Sequence, residues 1–484
     1  MKRFRSILAI ISFFVLGSLF SALKMPSAQP ETIGAHPLPA IIFVEAPTAV
    51  PGDLARRFPK GSHLAHLAPG DSAQSVVNLT PEFFAAADPQ VSFDASRVLF
   101  TAQKARNSSW QIWEMNVDGT GKRQLTNCNG DCFQPAFLPQ NQIVFTMVEG
   151  KWPRQTSGIY ASQESGAVAH PLTFGPGDFQ VETVLHSGRI LVSAKSSLVP
   201  GSKGGGSRQF YTLLPDGSGL SPFRWNGAPD VVRTGAEELE DGTVLFVKRR
   251  APTERQTGGQ LAWFRPGTLH NSVITPAGPV YWSAHVLDGN RLIVAKEDST
   301  TAGKFGLYVL NLATRTIEKM IYRNPKLSGV QAQPIEPRKV PLYYWSILHP
   351  DRNYGRVVCL DSYISADAPG GRLTDHIAQV RVIALQPDHH SEKVLGAAPV
   401  ESDGSFYIKV PADRPIRFEL LNAKGAVIHA QKSWIWARTG EDVPCIGCHE
   451  SKALAPGDIW PLALKRPDAP IPVGVAANPP SARH

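Results

Sequence analysis

The sequence predicts an all-β protein: a β-propeller of six or seven blades over residues 35–325, then a smaller β-sandwich-like domain over residues 342–450. Three observations carry this. The chain holds 41 Gly and 41 Pro in 484 residues with only 19% charged side chains, a turn-rich composition without long solvated helices or disorder. A short grammar of strand, Gly or Asp turn and second strand returns every ~45 residues, the mark of a repeat architecture. That period stops near residue 326, yet period-2 alternation of apolar residues resumes beyond it.

The chain opens with Lys2, Arg3 and Arg5, an apolar run from Ile7 to Leu23, then Lys24 and the small-residue stretch Pro26-Ser27-Ala28. Residues 1–28 therefore read as an export signal or an N-terminal anchor, the apolar run being just long enough to span a bilayer. The four basic residues of this segment account for half of the formal +8 charge. No Lys/Arg run interleaved with aromatics follows, so the basic balance makes no case for nucleic acid. The expected location is the periplasm or the medium, with membrane anchoring through the N-terminus as the alternative.

The repeats come next. Ile41-Ile42-Phe43-Val44 forms an opening strand. The clearest copy runs from Asp88-Pro89-Gln90-Val91 through Arg97–Thr101 and Trp110–Asn116, turns at Asp118-Gly119, and closes on Arg123-Gln124-Leu125-Thr126. Further copies start at Gln134-Pro135, Val184, Leu239 and Val286, with Gly158–Tyr160, Gln209–Tyr211 and Gly306–Val309 in the place of the Trp110–Trp113 strand. Radial repetition of small sheets hides strand edges, which makes a propeller the natural closed form. The pattern resembles the TolB-type propeller family.

Residues 326–341, with Pro334, Pro337 and Pro341, read as a linker. The alternating segments Gly355–Leu360, Gln379–Leu385, Phe406–Val410 and Ile416–Leu421 then predict the sandwich. Residues 451–484 read as a Pro-rich tail that wraps the surface or frays.

The chemistry concentrates in Cys445-Ile446-Gly447-Cys448-His449. This spacing lets two thiols form thioethers to the vinyl groups of one haem while the adjacent imidazole reaches the iron. With five Cys and 14 His in the chain, composition alone supplies the pattern on the order of 0.001 times. A local disulfide, a thioredoxin-like pair or half a zinc site are the bland alternatives, but no βαβ pattern and no second CxxC accompany the motif. Export agrees with c-type haem, which is attached outside the cytoplasm. One covalent haem c is expected, with Cys445 and Cys448 as thioether ligands and His449 as axial ligand.

No Met follows His449, so the second axial position falls to His429, His376, His389, His390 or His484, or stays open; each His is equally readable as a surface residue. Trp434 and Trp436 are candidates for the haem wall or for plain core packing. Cys128 and Cys132 are the candidate disulfide, with a structural role in an oxidising compartment. Cys359, alone in its strand, reads as a buried small hydrophobe without function.

The ordered set Pro399–Phe406, Val410-Pro411-Ala412, Phe418–Gly425, Gln431–Trp434, Gly440-Glu441 and Cys445–Glu450 resembles the hydrazine synthase alpha subunit middle-domain family of exported proteins, which couple a TolB-like propeller to a β-domain ending in CxxCHE. The resemblance covers residues 35–470 and implies a haem site in the second domain. Two departures keep it from implying hydrazine synthesis. The family's iron-ligating tyrosine, four positions after the motif histidine, is Ala453 here, and no second CxxCH occurs.

Three functions follow as expectations: electron transfer by a monohaem protein whose propeller docks a redox partner or second subunit; a haem enzyme, hence an oxidoreductase, acting on small nitrogen or oxygen species; and a propeller binding module with a structural or sensory haem. No nucleophile elbow, HExxH or paired carboxylates point to a hydrolase, and no catalytic residue is assigned.

Overall fold

The computed structural model describes residues 37–49, 54, 56–70, 76–150, 156–166, 168–195, 207–223, 231–250, 258–268, 270–366, 368–388, 391–448 and 460–475. Residues 1–28, read from sequence as an export signal or anchor, lie outside them. The described chain is built from eight four-stranded sheets, six of them antiparallel blades and two forming the second domain.

Each blade follows from the repeat grammar. In the second blade Ala85–Val91 pairs with Arg97–Gln103, that strand with Gln111–Asn116, and that one with Arg123-Gln124. The alternating strands leave side chains on both faces for neighbouring blades, so Val98, Phe100 and Ala102 point to one interblade core while Leu99 and Ile112 point to the next. The recurring Leu-Thr or Ile-Thr pair has a structural cause. Thr80, Thr126, Thr173 and Thr275, each just past the outermost strand of its blade, accept through Oγ1 a backbone N–H from the adjacent strand, at 2.9–3.1 Å. The Asp-Pro and Gln-Pro openings mark a bulge in the innermost strand, where Asp88 and Gln134 take φ of 53° and 51°.

The six innermost strands contact one another in a closed ring, which settles the blade number at six. Closure corrects one boundary. Ser328–Pro334, read from sequence as part of a 326–341 linker, is the innermost strand of the first blade and pairs antiparallel with Ile41–Ala46. Its Pro residues misled: Pro334 ends the strand, beyond which the chain leaves the sheet. Gln331 in this strand donates from Nε2 to Asp88 Oδ1 at 2.7 Å, a polar contact across the seam between residues 243 positions apart, and Asp88 Oδ2 accepts from Arg57 at 2.7 Å.

The second domain packs two sheets face to face. One has the strand order 442–445, 354–359, 406–411, 471–472; the other has 392–399, 379–385, 416–421, 427–430. Val357, Val380, Val382, Ile408, Val410 and Leu420 fill the space between them. The 451–484 tail is not wholly peripheral. Ile471-Pro472 adds a parallel strand to Ile408-Lys409, Val473 is buried, and Leu462 and Ala463 donate their N–H groups to Asp403 and Ser405 side chains. The Pro-rich composition concealed this because a two-residue strand leaves no alternation to read.

Arg438 and Glu441 tie this domain to the propeller. Arg438 donates to Asp413 Oδ1 and to the Asp216 carbonyl, both at 2.6 Å, and its guanidinium lies 5.1 Å from the Phe174 ring centre. Glu441 accepts from Gly219 N at 2.8 Å and from Arg438 N at 2.7 Å. Gly217, at φ 83°, is needed there, since a Cβ would lie 2.0 Å from Arg438 Nη1.

Candidate functional site

The CxxC segment begins inside a strand and ends in a turn. Asp442–Cys445 runs parallel to Tyr354–Cys359, with Cys359 directly across from Cys445. The ladder continues past the strand: Leu360 N donates to the Cys445 carbonyl at 2.9 Å and Asp361 N to the Ile446 carbonyl at 3.0 Å. Cys448 N then donates to the Ile364 carbonyl at 2.9 Å. Residues 360–364 thus form a backbone cradle that holds the motif from Cys445 to Cys448.

The cradle explains the glycine inside the motif. A Cβ on Gly447 would stand 2.5 Å from the Ile364 carbonyl oxygen and 2.7 Å from Ile364 Cβ, so only glycine lets the turn lie against this segment. Cys445 and Cys448 are half-buried thiols packed against the apolar core of the sandwich, whereas Cys359 is fully buried in it. Cys359 is therefore not isolated, as the sequence suggested. It is the cross-strand neighbour of Cys445, a relation that a parallel pairing across 86 positions hides from any local pattern.

This arrangement fits thioether attachment. Two thiols are presented at the edge of one sheet, on a clamped backbone, with the motif histidine next in the chain. His449 itself, along with Glu450 and Ala453, lies outside the described residues, as do His389, His390 and His484.

Of the histidines considered for the second axial position, His429 comes near the motif. Its Nε2 lies 3.4 Å from Ser365 Oγ, one residue beyond the carbonyl that holds Cys448. His376 turns its Nδ1 to the Ile377 carbonyl, 3.0 Å away.

The two tryptophans sit elsewhere. Trp434 is buried with Ile383 and Leu385 on the outer face of the second sheet. Trp436 is buried in a propeller core, its ring edge-on to Phe179 at 5.7 Å and to Phe174 at 6.1 Å. Both rings take the packing alternative, and neither belongs to the cluster that holds Cys445 and Cys448. The elements that sequence reasoning missed are Ile364, Ser365 and Cys359; the one available signal was the glycine within the motif.

Cys128 and Cys132 are brought together, their thiols in hydrogen-bonding contact, and the structure has both in the thiol form.

Comparison with known proteins agrees with this geometry. Residues 362–450, which span the cradle and the motif, match the family described as "Hydrazine synthase alpha subunit middle domain". Hydrazine synthase subunit alpha of Kuenenia stuttgartiensis is 21% identical to this chain, over 92% of the chain and 72% of that protein. The solved hydrazine synthase of Kuenenia stuttgartiensis superimposes with a TM-score of 0.78 at 19% identity, covering 89% of this chain and 71% of that one. TolB from Acinetobacter baumannii aligns over 61% of this chain and 66% of its own, at 14% identity and a TM-score of 0.45. The second domain is thus similar to the hydrazine synthase alpha middle domain, and the likeness to that subunit runs along nearly the whole length of the chain.

Proposed function

We propose that this chain is an exported redox protein that holds one haem c through thioethers at Cys445 and Cys448, with His449 as an axial ligand, and that it transfers electrons to a partner docked on the propeller. The observation that supports this best is the clamped CxxC turn at a sheet edge, followed directly by a histidine, inside the segment that matches the hydrazine synthase alpha family. Such a haem supplies a one-electron iron couple, and its potential follows axial ligation and burial. The chain's own contribution is to clamp the motif backbone, Cys448 N on the Ile364 carbonyl and Leu360 N on the Cys445 carbonyl, and to bring His429 toward the same edge. A second subunit is the expected partner, because the relative is named as a subunit.

The likeness to hydrazine synthase favours a second reading, a haem enzyme on small nitrogen species. Ala453 at the place of the family's tyrosine argues against direct transfer of that activity. Visible spectra of the protein made in a host with c-type haem maturation separate the two. A low-spin haem inert to carbon monoxide supports electron transfer, and a high-spin haem that binds the gas supports the enzyme.

A further inference from the structure

A second sulfur pair lies in the propeller, apart from the haem motif. Cys132 sits in the innermost strand of the third blade, Asp131–Leu138, fully buried and directly across from Met147. Cys128 is half-buried and lines a pocket of about 540 Å³ together with Met147, Glu149 and Tyr160. This volume falls within the range of small-molecule sites.

The loop joining the two cysteines is rigidly held. Gln111 of the neighbouring blade accepts from Cys128 N at 3.0 Å through Oε1 and donates from Nε2 to the Cys128 and Gly130 carbonyls, each at 3.2 Å. Asp131 Oδ1 accepts from Trp110 N at 2.9 Å. Gly130 lies so close to the next strand that a Cβ would be 2.3 Å from the Val148 carbonyl oxygen. The result is an asymmetric dithiol, with one sulfur facing a pocket and the other buried behind it.

We propose that Cys128 and Cys132 form a redox-active dithiol–disulfide couple, with Cys128 as the attacking sulfur and a low-molecular-weight aliphatic disulfide as the pocket's ligand. The Cys128 thiolate attacks one sulfur of the incoming disulfide RSSR, the S–S bond breaks, and RS⁻ leaves and takes up a proton as RSH. Cys132 then loses its proton and attacks Cys128 Sγ, expelling the second RS⁻. The chain's dithiol is oxidised to a disulfide, and RSSR is reduced to two RSH.

The electrostatics run in the same direction. The hydrogen bond from the Cys132 thiol holds Cys128 below the ordinary thiol value, against its burial and the nearby Glu149 carboxylate. The same bond, with burial, pushes Cys132 up. The exposed sulfur is thus the better thiolate, and the buried one is the resolving partner.

The test uses the full-length protein, with cysteine-containing peptides mapped by mass spectrometry. Oxidised glutathione is expected to leave a stable mixed disulfide on Cys128 in C132S and none on Cys132 in C128S. In the reduced wild type, iodoacetamide is expected to label Cys128 at least about tenfold faster than Cys132. Should C132S fail to fold, titration of the wild type in glutathione redox buffers replaces it, with both thiols expected to convert together as one two-electron couple. A C132S chain inert to oxidised glutathione, equal labelling of the two thiols, or a bond that excess reduced glutathione leaves intact in the folded chain overturns the proposal.

Discussion

Cys445 stands directly across a parallel strand pair from Cys359, a fully buried residue of the sandwich core. The strand that carries the motif is thereby part of the domain's packing, and the motif's position is set by the fold rather than by a free loop. Cys359→Ala, which removes the buried sulfur, is expected to cost about 1–2 kcal/mol in denaturant unfolding and to leave haem attachment in place.

The cradle makes a sharper demand. Gly447→Ala puts a Cβ against the Ile364 carbonyl, and neither that oxygen nor the backbone around it can yield without breaking the hydrogen bond from Cys448. The expected outcome is a severalfold lower yield of covalent haem at unchanged propeller stability, read by peroxidase staining of denatured protein against far-ultraviolet melting curves.

His429 approaches the same edge through Ser365. If it supplies the second axial ligand, His429→Ala converts a low-spin ferric spectrum to high-spin and opens the iron to carbon monoxide, while His376→Ala changes neither. Identical spectra for the two variants return the axial position to the histidines outside the described residues or leave it open.

Trp434 and Trp436 divide packing from cofactor binding. Trp436→Ala empties a site ringed by Phe174 and Phe179 and is expected to destabilise by about 3–5 kcal/mol while leaving the haem spectrum unchanged. Arg438→Ala removes the bonds to Asp413 and the Asp216 carbonyl and leaves Glu441 buried without its neighbour, a loss of about 2–4 kcal/mol. Both changes are expected to separate propeller and sandwich melting into two transitions.

The propeller seam carries a pH signature. Glu45 and His63 of the first blade lie 2.9 Å apart, and Tyr322 of the last blade donates to the same carboxylate. Burial disfavours both charges, yet the hydrogen bonds from His63 and Tyr322 outweigh it and hold Glu45 below its ordinary value of 4.5. For His63 burial is likewise outweighed, by Glu45, and its value rises above 6.5. The Glu45 contribution is therefore present above pH 4.5 and lost as pH falls through its lower folded value. The His63 contribution is present below pH 6.5 and lost as pH rises through its higher folded value. Stability from this pair is greatest between about pH 4.5 and 6.5. Unfolding free energy measured against pH is expected to lose that hump in His63→Asn.

Much of this was legible in the chain, for identifiable reasons. Blades announce themselves because the Asp-Pro and Gln-Pro bulges and the Leu-Thr closures recur at one spacing, each tied to a local backbone need. Cys445, Cys448 and His449 stand out in the sequence because the haem attachment proposed for them demands adjacent residues in a set order. What stayed hidden was non-local. The Ser328–Pro334 strand closes a ring with residues nearly 290 positions earlier, and two Pro-bounded ends made it read as a linker. Ile364 matters through its backbone carbonyl and Ser365 through its hydroxyl, in contacts across more than 60 positions that no local pattern encodes.

The central claim is covalent haem at Cys445 and Cys448, and the direct measurement is the intact mass and pyridine haemochrome spectrum of the denatured protein made with a c-type maturation system, beside Cys445→Ala and Cys448→Ala. One haem retained through denaturation by the wild type, a vinyl-shifted haemochrome in each single variant and none in the double variant is the predicted result. A wild-type chain that carries no haem after denaturation, or the same adduct in the double variant, contradicts the account.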